Sequence, residues 1–406
     1  MHRAGLCYGV LRMPAPLRSR LEALVGLLDG LSDVLSTRVE HPEPPAWATS
    51  RGWAAPLLAL SDQMLLSAER LGPSAVLPTL ALPSDLVALA EQHTRLCHLP
   101  RLPQPAAAVI RAAGARKRAQ VTALRAHVAA WAPSVDRVVE LGAGRGHLTR
   151  ALADALSLET LGIEHTAHVV ERARALGEGE RLRFVLRDGR DEAIPSDPRT
   201  LLVGLHACGG LGDALVDLAA RTDAAVLHVA CCPQKVDGQT RTASSSAGRA
   251  LGFNVPRRAL GLANLAGSQD EGRGEPPMSR RRRRRALYLL LREAGVELMP
   301  GDEARGVPRR QFRHPLAHVA AFAFERRGLP PPSALAIEDA DRRATIESGR
   351  IRRLSLARRL LARPLELALA FDRACLLAER GRAPDVVEVW DRTVSPRNVA
   401  LLREAG

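Results

Sequence analysis

Apolar residues recur at spacings of three and four in residues 17–35 (LRSRLEALVGLLDGLSDVL) and again in residues 57–71 (LLALSDQMLLSAERL). That is the period of helices with one buried face, and the proline-rich HPEPPAW at 41–47 separates them. The rhythm changes after a helical stretch at Arg116–Trp131. Short apolar runs at Arg137–Leu141, Thr160–Glu164, Leu182–Leu186, Leu201–Leu205 and Ala225–Ala230 alternate with helical segments, which predicts a parallel sheet with right-handed crossovers. Residues 239–274 are rich in Gly, Ser, Arg and Ala and read as loop, with one short helix near Arg257–Ala266. A long amphipathic pattern over Ile337–Arg380 follows the break at Pro330–Pro332. VVEVWDR then predicts a strand, Ser395 and Pro396 a tight turn, and the last segment a strand or helix. The expected architecture is α/β: an N-terminal helical region at 1–114, then one domain at 115–406. That domain holds a Rossmann-like seven-stranded sheet with a helical insertion, about 239–330, before its last two strands.

The first strand runs into VVELGAGRGH at 138–147, with Gly142, Gly144 and Gly146 on alternate positions before a helix begins. An apolar run breaking into glycines and then a helix is the ligand-cradling first turn of a nucleotide-binding fold. The dinucleotide pattern G-x-G-x-x-G needs its third glycine where His147 stands. An acid two residues ahead of the turn, Glu140, disfavours a pyrophosphate and favours a cation. S-adenosylmethionine, with its ammonium and sulfonium, is such a ligand, and the sheet is then of the class I methyltransferase kind. A dinucleotide enzyme and a structural glycine turn stay open on this stretch alone.

Ligands in such sheets bind outside the carboxyl ends of the strands. The expected cofactor residues are therefore Glu140, Gly142, Ala143, Gly144, Gly146 and His147 at the first turn, and Glu164 for the ribose hydroxyls. Asp188 and Gly189 would border the adenine, and Leu205 and His206 would face the methyl group. Three candidate catalytic residues end strands four and five: His206 as a base, and Cys208 and Cys232 as thiols beside the methyl donor. Adjacent cysteines do not have zinc spacing, so no metal is expected from His206, Cys208, Cys231 and Cys232.

The net charge of +14 and pI near 10.8 would steer anionic partners. Only Lys117 and Lys235 are lysines, however, and an arginine excess of this kind also follows from GC-rich codons. Arg280, Arg281, Arg282, Arg283, Arg284 and Arg285 open a helix, and like charges so dense cost helix stability unless an anion sits beside them. RNA is thus the acceptor slightly favoured. A protein or small-molecule acceptor, or a non-catalytic S-adenosylmethionine-binding scaffold, are the alternatives. Six cysteines without a C-x-x-C pair make no disulfide framework and are expected reduced. With no apolar leader and no run of 18 apolar residues, a soluble cytoplasmic protein without membrane contact is expected.

Several further segments resemble the methyltransferase-like protein 25 family. These are LPSDLVALAEQHTRLCHLPR at 82–101, ARKRAQV at 115–121, ELGAGRGHL, GLHACGGLGD, CCPQK, RLLARPLELALAFDRACLL and VWDRTVSPRNVAL. The resemblance implies a Rossmann-type methyltransferase domain from about Leu82 to Leu402. Its glycine turn and His-x-Cys-Gly strand end are also similar to eukaryotic tRNA ribose methyltransferases, although the Cys/His zinc finger of those enzymes is lacking here. Gln120 stands where the family's Lys-Lys-x-x-Glu helix has its acid.

Overall fold

The computed structural model describes residues 17–103, 114–131, 134–266 and 277–405. The N-terminal stretch read for a leader, with Cys7, and the end of the 239–274 loop lie outside the described residues.

Seven strands form one sheet: β1 (Arg137–Leu141), β2 (Glu159–Glu164), β3 (Leu182–Leu186), β4 (Thr200–Leu205), β5 (Ala225–Val229), β6 (Asp385–Glu388) and β7 (Val399–Arg403). Their order is 3-2-1-4-5-7-6, and β7 alone runs antiparallel to its neighbours. This is the class I methyltransferase arrangement expected. Strands β4 and β5 are buried at every position, as parallel strands covered by helices on both faces must be. Strand order reverses between β1 and β4, so the ligand crevice opens at their carboxyl ends.

Helices α1 (Leu17–Gly30), α2 (Ala115–Trp131), α3 (His147–Leu156), α4 (Ala167–Ala175) and α5 (Gly210–Thr222) belong to the sheet's unit. The chain divides into two compact units, and the expected boundary at 114/115 is not where they part. Among the described residues, one unit comprises 17–36, 93–103, 114–131, 134–266 and 361–405; the other comprises 37–92 and 277–360. The insertion thus extends to 360, and the N-terminal helical region is shared between the units.

In the second unit, α6 (Pro277–Glu293) packs its Ala286, Leu287, Leu290 and Leu291 against Ala340 and Ala344 of α7 (Ala334–Arg359) and against the helix Leu316–Glu325. The single helix expected over 337–380 is two, because Pro364 lacks the N–H that would bond back to Leu360. The chain restarts as α8 (Ala362–Arg380) in the first unit. There, buried arginines fix α8 at two places: Arg363 donates to Glu388 at the end of β6 and to Asn398 just before β7, and Arg373 donates to Asp213 of α5. Asp372, fully buried, accepts from Arg241, from the backbone N–H of Ser244 and Ser245, and from the Ser245 hydroxyl. The charged residues of RLLARPLELALAFDRACLL are therefore structural.

Candidate active site

The turn after β1 is held from below. Gly142 and Ala143 both donate their N–H to the carbonyl of Ile163 in β2, at 2.9 and 3.0 Å. Gly142, Gly144 and Gly146 all have φ between 57° and 74°, a region costly for any residue with a Cβ. Two of them serve different ends. A Cβ on Gly146 would lie 2.2 Å from Cζ of Phe184, whereas one on Gly144 would meet nothing within 4 Å. Gly146 thus lets Phe184 pack under the turn with Ala143, Val170 and Ala173, and Gly144 borders open space that a ligand can approach.

Glu140 does not face that space. It is fully buried, and its Oε2 accepts the hydroxyl of Thr149 on α3 at 2.5 Å. Burial pushes its carboxyl up to about 7 despite this bond and the nearby Lys117. The geometry displays a carboxyl that ties the turn to α3, and not the contact with a cation expected of it. The argument from a cation-seeking carboxylate at the turn therefore loses its residue. Thr149 went unnoticed because nothing in the spacing couples position 149 to 140.

Glu164 ends β2 as expected. Its Oε2 accepts the Gly144 N–H at 3.2 Å and its Oε1 the Thr166 N–H at 3.0 Å. The carboxylate thus stands beside the open position of the turn. Asp188 follows β3 by two residues but is half-exposed and gripped by Arg190, whose guanidinium donates to both carboxylate oxygens and to Asp237. This grip holds Asp188 below the usual carboxylate range. Gly189 follows it, with Leu211 where a Cβ would fall.

Leu205, buried, ends β4, and His206 follows with φ 67°. Its backbone N–H bonds to Val229 of β5 at 2.8 Å, and its Nε2 lies 3.3 Å from Oε1 of Gln120. Its Nδ1 is buried with no partner among the described residues. Burial, with Lys117, Arg116 and Arg397 nearby, pushes the imidazole down to about 4, so it is neutral at pH 7. His147 opens α3, half-buried, and burial also lowers its pKa.

Cys208 and Cys231 are joined as a disulfide with Cα atoms 5.5 Å apart. Adjacent parallel strands β4 and β5 bring their ends together, a pairing that reduced, separate thiols did not anticipate. A bridged Cys208 is no nucleophile. Cys232 keeps its thiol, 3.5 Å from the sulfur of Cys231. The three sulfurs lie within 4.8 Å of one another.

Within the second unit, the arginine run faces acids. Arg282 pairs with Asp341, Arg284 with Glu303 and Arg285 with Glu347, while Arg283 donates to the carbonyl of Phe312. The chain's own acids thus supply anions for Arg282, Arg284 and Arg285. Among the described residues no helix is long and apolar enough to cross a membrane.

A seven-stranded sheet in this order, with a glycine turn, an acid ending β2 and a second acid after β3, defines a domain of the class I methyltransferase type. Residues 116–239 match the family described as "Methyltransferase domain". Solved structures similar to the chain include the YcgJ protein from Bacillus subtilis at 23% identity, covering 26% of this chain and 50% of that one, with TM-score 0.24. Another is DesVI from Streptomyces venezuelae at 16%, covering 30% and 55%, with TM-score 0.24. Human N-acetylserotonin methyltransferase with bound S-adenosylmethionine matches at 15%, covering 56% and 76%, with TM-score 0.23. The chain thus spans about half the length of the first two. The open position at Gly144 beside the Glu164 carboxylate fits S-adenosylmethionine.

Proposed function

We propose that this protein is an S-adenosylmethionine-dependent methyltransferase that moves the methyl group to an acceptor entering at the ends of β4 and β5. The observation that carries this reading is the Gly144–Glu164 pair. A position free of any neighbouring atom adjoins a carboxylate, held at its own strand end, that can accept the two ribose hydroxyls. Gly142, Ala143 and Gly146 would shape the cradle, and Asp188, Gly189 and Leu205 would border it. Glu140 and Thr149 would keep the turn rigid from beneath.

S-adenosylmethionine supplies an electrophilic methyl group. The work of the chain is to align the acceptor and keep water out, and such placement is worth roughly 7–11 kcal/mol. His206 is neutral, and its unpartnered Nδ1 can take a proton from an acceptor hydroxyl or amine. Isothermal titration with S-adenosylhomocysteine tests the reading. Binding by the wild type, weakened about tenfold or more in Glu164→Ala, is expected for a lost charge-assisted contact. Absence of binding, or equal affinity in the variant, would refute it. Labelled methyl offered with fractionated cell extract then identifies the class of acceptor.

A further inference from the structure

The methionine half of S-adenosylmethionine carries a carboxylate as well as an ammonium, and the carboxylate needs donors. Glu140 and Glu164 can supply none. The groups that can stand on α2, one turn apart: Lys117 and Gln120 are three residues apart and so share a helix face.

Gln120 is 2% exposed, yet its Nε2 has no partner among the described residues. Its Oε1 is engaged by Nε2 of His206 at 3.3 Å, which leaves the amide's two N–H bonds unsatisfied in a buried place. A buried amide with two idle donors costs free energy unless something accepts from it. Lys117 is similar. It is half-buried, and its ammonium forms no hydrogen bond or ion pair within the described residues. Burial lowers its pKa, with only the Glu140 carboxyl opposing. That carboxyl is itself turned away to Thr149, and burial raises its pKa, which weakens it as a counter-charge. His206 senses Lys117, Arg116 and Arg397, three cations and no anion. Arg116 and Arg397 are committed elsewhere, to the Ser395 hydroxyl and to the carbonyls of Ala263 and Asn264. The space beside the glycine turn is therefore lined on the α2 side by unspent donors and positive charge.

We infer that Lys117 and Gln120 form a carboxylate subsite, which takes the α-carboxylate of the cofactor's methionine part at the mouth of the turn after β1. The inference rests on the cofactor reading above and goes beyond it in assigning the residues of α2. In this arrangement Gln120 links two duties: its oxygen orients His206 and its nitrogen holds the ligand.

The test compares two probes on the full chain by isothermal titration. S-adenosylhomocysteine has the amino-acid part, and 5′-methylthioadenosine has the same nucleoside and thioether without it. Lys117→Met is expected to lower affinity for S-adenosylhomocysteine about tenfold or more and to leave 5′-methylthioadenosine unchanged. Lys117→Arg should restore most of the loss, and Gln120→Leu should show the same selectivity for the longer probe. Lys117→Met weakening both probes alike, or neither, overturns the subsite while leaving the cofactor assignment standing. Wild type that binds neither probe overturns the cofactor assignment itself. Far-ultraviolet circular dichroism separates these results from misfolding. If Lys117→Met does not fold, the Gln120→Leu comparison decides.

Discussion

Alanine placed at Gly144 and at Gly146 should produce opposite defects, although the two glycines are neighbours in one turn with similar φ angles of 57° and 70°. Each substitution forces a Cβ into the left-handed region, at roughly 1–2 kcal/mol. At Gly144 that is the whole cost to the fold, because the new methyl meets nothing within 4 Å. At Gly146 the methyl would fall 2.2 Å and 2.3 Å from two ring atoms of Phe184. Phe184 is itself buried in the cluster under the turn, so overpacking adds roughly 1–3 kcal/mol. Gly146→Ala should therefore lose about 2–5 kcal/mol of stability, and Gly144→Ala about 1–2 kcal/mol. Cofactor binding should rank the other way: the Gly144 methyl occupies the space where a ligand approaches backbone. Urea unfolding gives the first ranking, and titration with S-adenosylhomocysteine gives the second. Gly144→Ala that binds normally, or that unfolds as readily as Gly146→Ala, would refute the division of labour and with it the place of the pocket.

The Glu140 carboxyl, raised from 4.5 to about 7 by burial, binds its proton more tightly folded than unfolded. Its contribution is fully present below pH 4.5 and is lost as pH rises through about 7, a penalty of about 3 kcal/mol by pH 8. Glu140→Gln should flatten that part of the stability–pH curve measured by urea unfolding, and an unchanged slope would count against the burial argument. Thr149→Val strips the buried carboxyl of its hydrogen bond and should cost about 1–3 kcal/mol on the same assay. Asp372→Ala leaves the Arg241 guanidinium buried without one of its anions; a loss of about 3–5 kcal/mol is expected, read as a lower urea midpoint. Mass spectrometry after alkylation without reductant should find Cys232 labelled while Cys208 and Cys231 are spared until reductant is added.

The sheet was legible because buried parallel strands write themselves as apolar runs. All five predicted parallel strands fall within a residue of their observed ends, and VVEVWDR with the closing VSPRNVALLREAG marks the pair β6 and β7. The positions of Glu164 and His206 at strand ends were equally readable. What a strand end does not disclose is where its side chain turns. Glu140 looked like a ligand contact, and Thr149, nine residues on, claims it. Arg280–Arg285 called for an anion that the sequence could not locate, because the acids that pair with Arg282, Arg284 and Arg285 lie at 303, 341 and 347 on other elements. The joining of 37–92 with 277–360 was invisible for a related reason: an amphipathic helix announces that it has an apolar face and is silent about what covers it.

The place of β7 between β5 and β6 bears on how the molecule is made. During synthesis β5 leaves the ribosome about 150 residues before β6 and β7, and until they arrive its outer rim is an unpaired row of backbone amides and carbonyls. A nascent chain paused in that interval offers a sticky edge to its neighbours. Chaperone demand should therefore be greatest late in translation, and a premature stop within α8 should yield aggregates in place of a smaller folded protein.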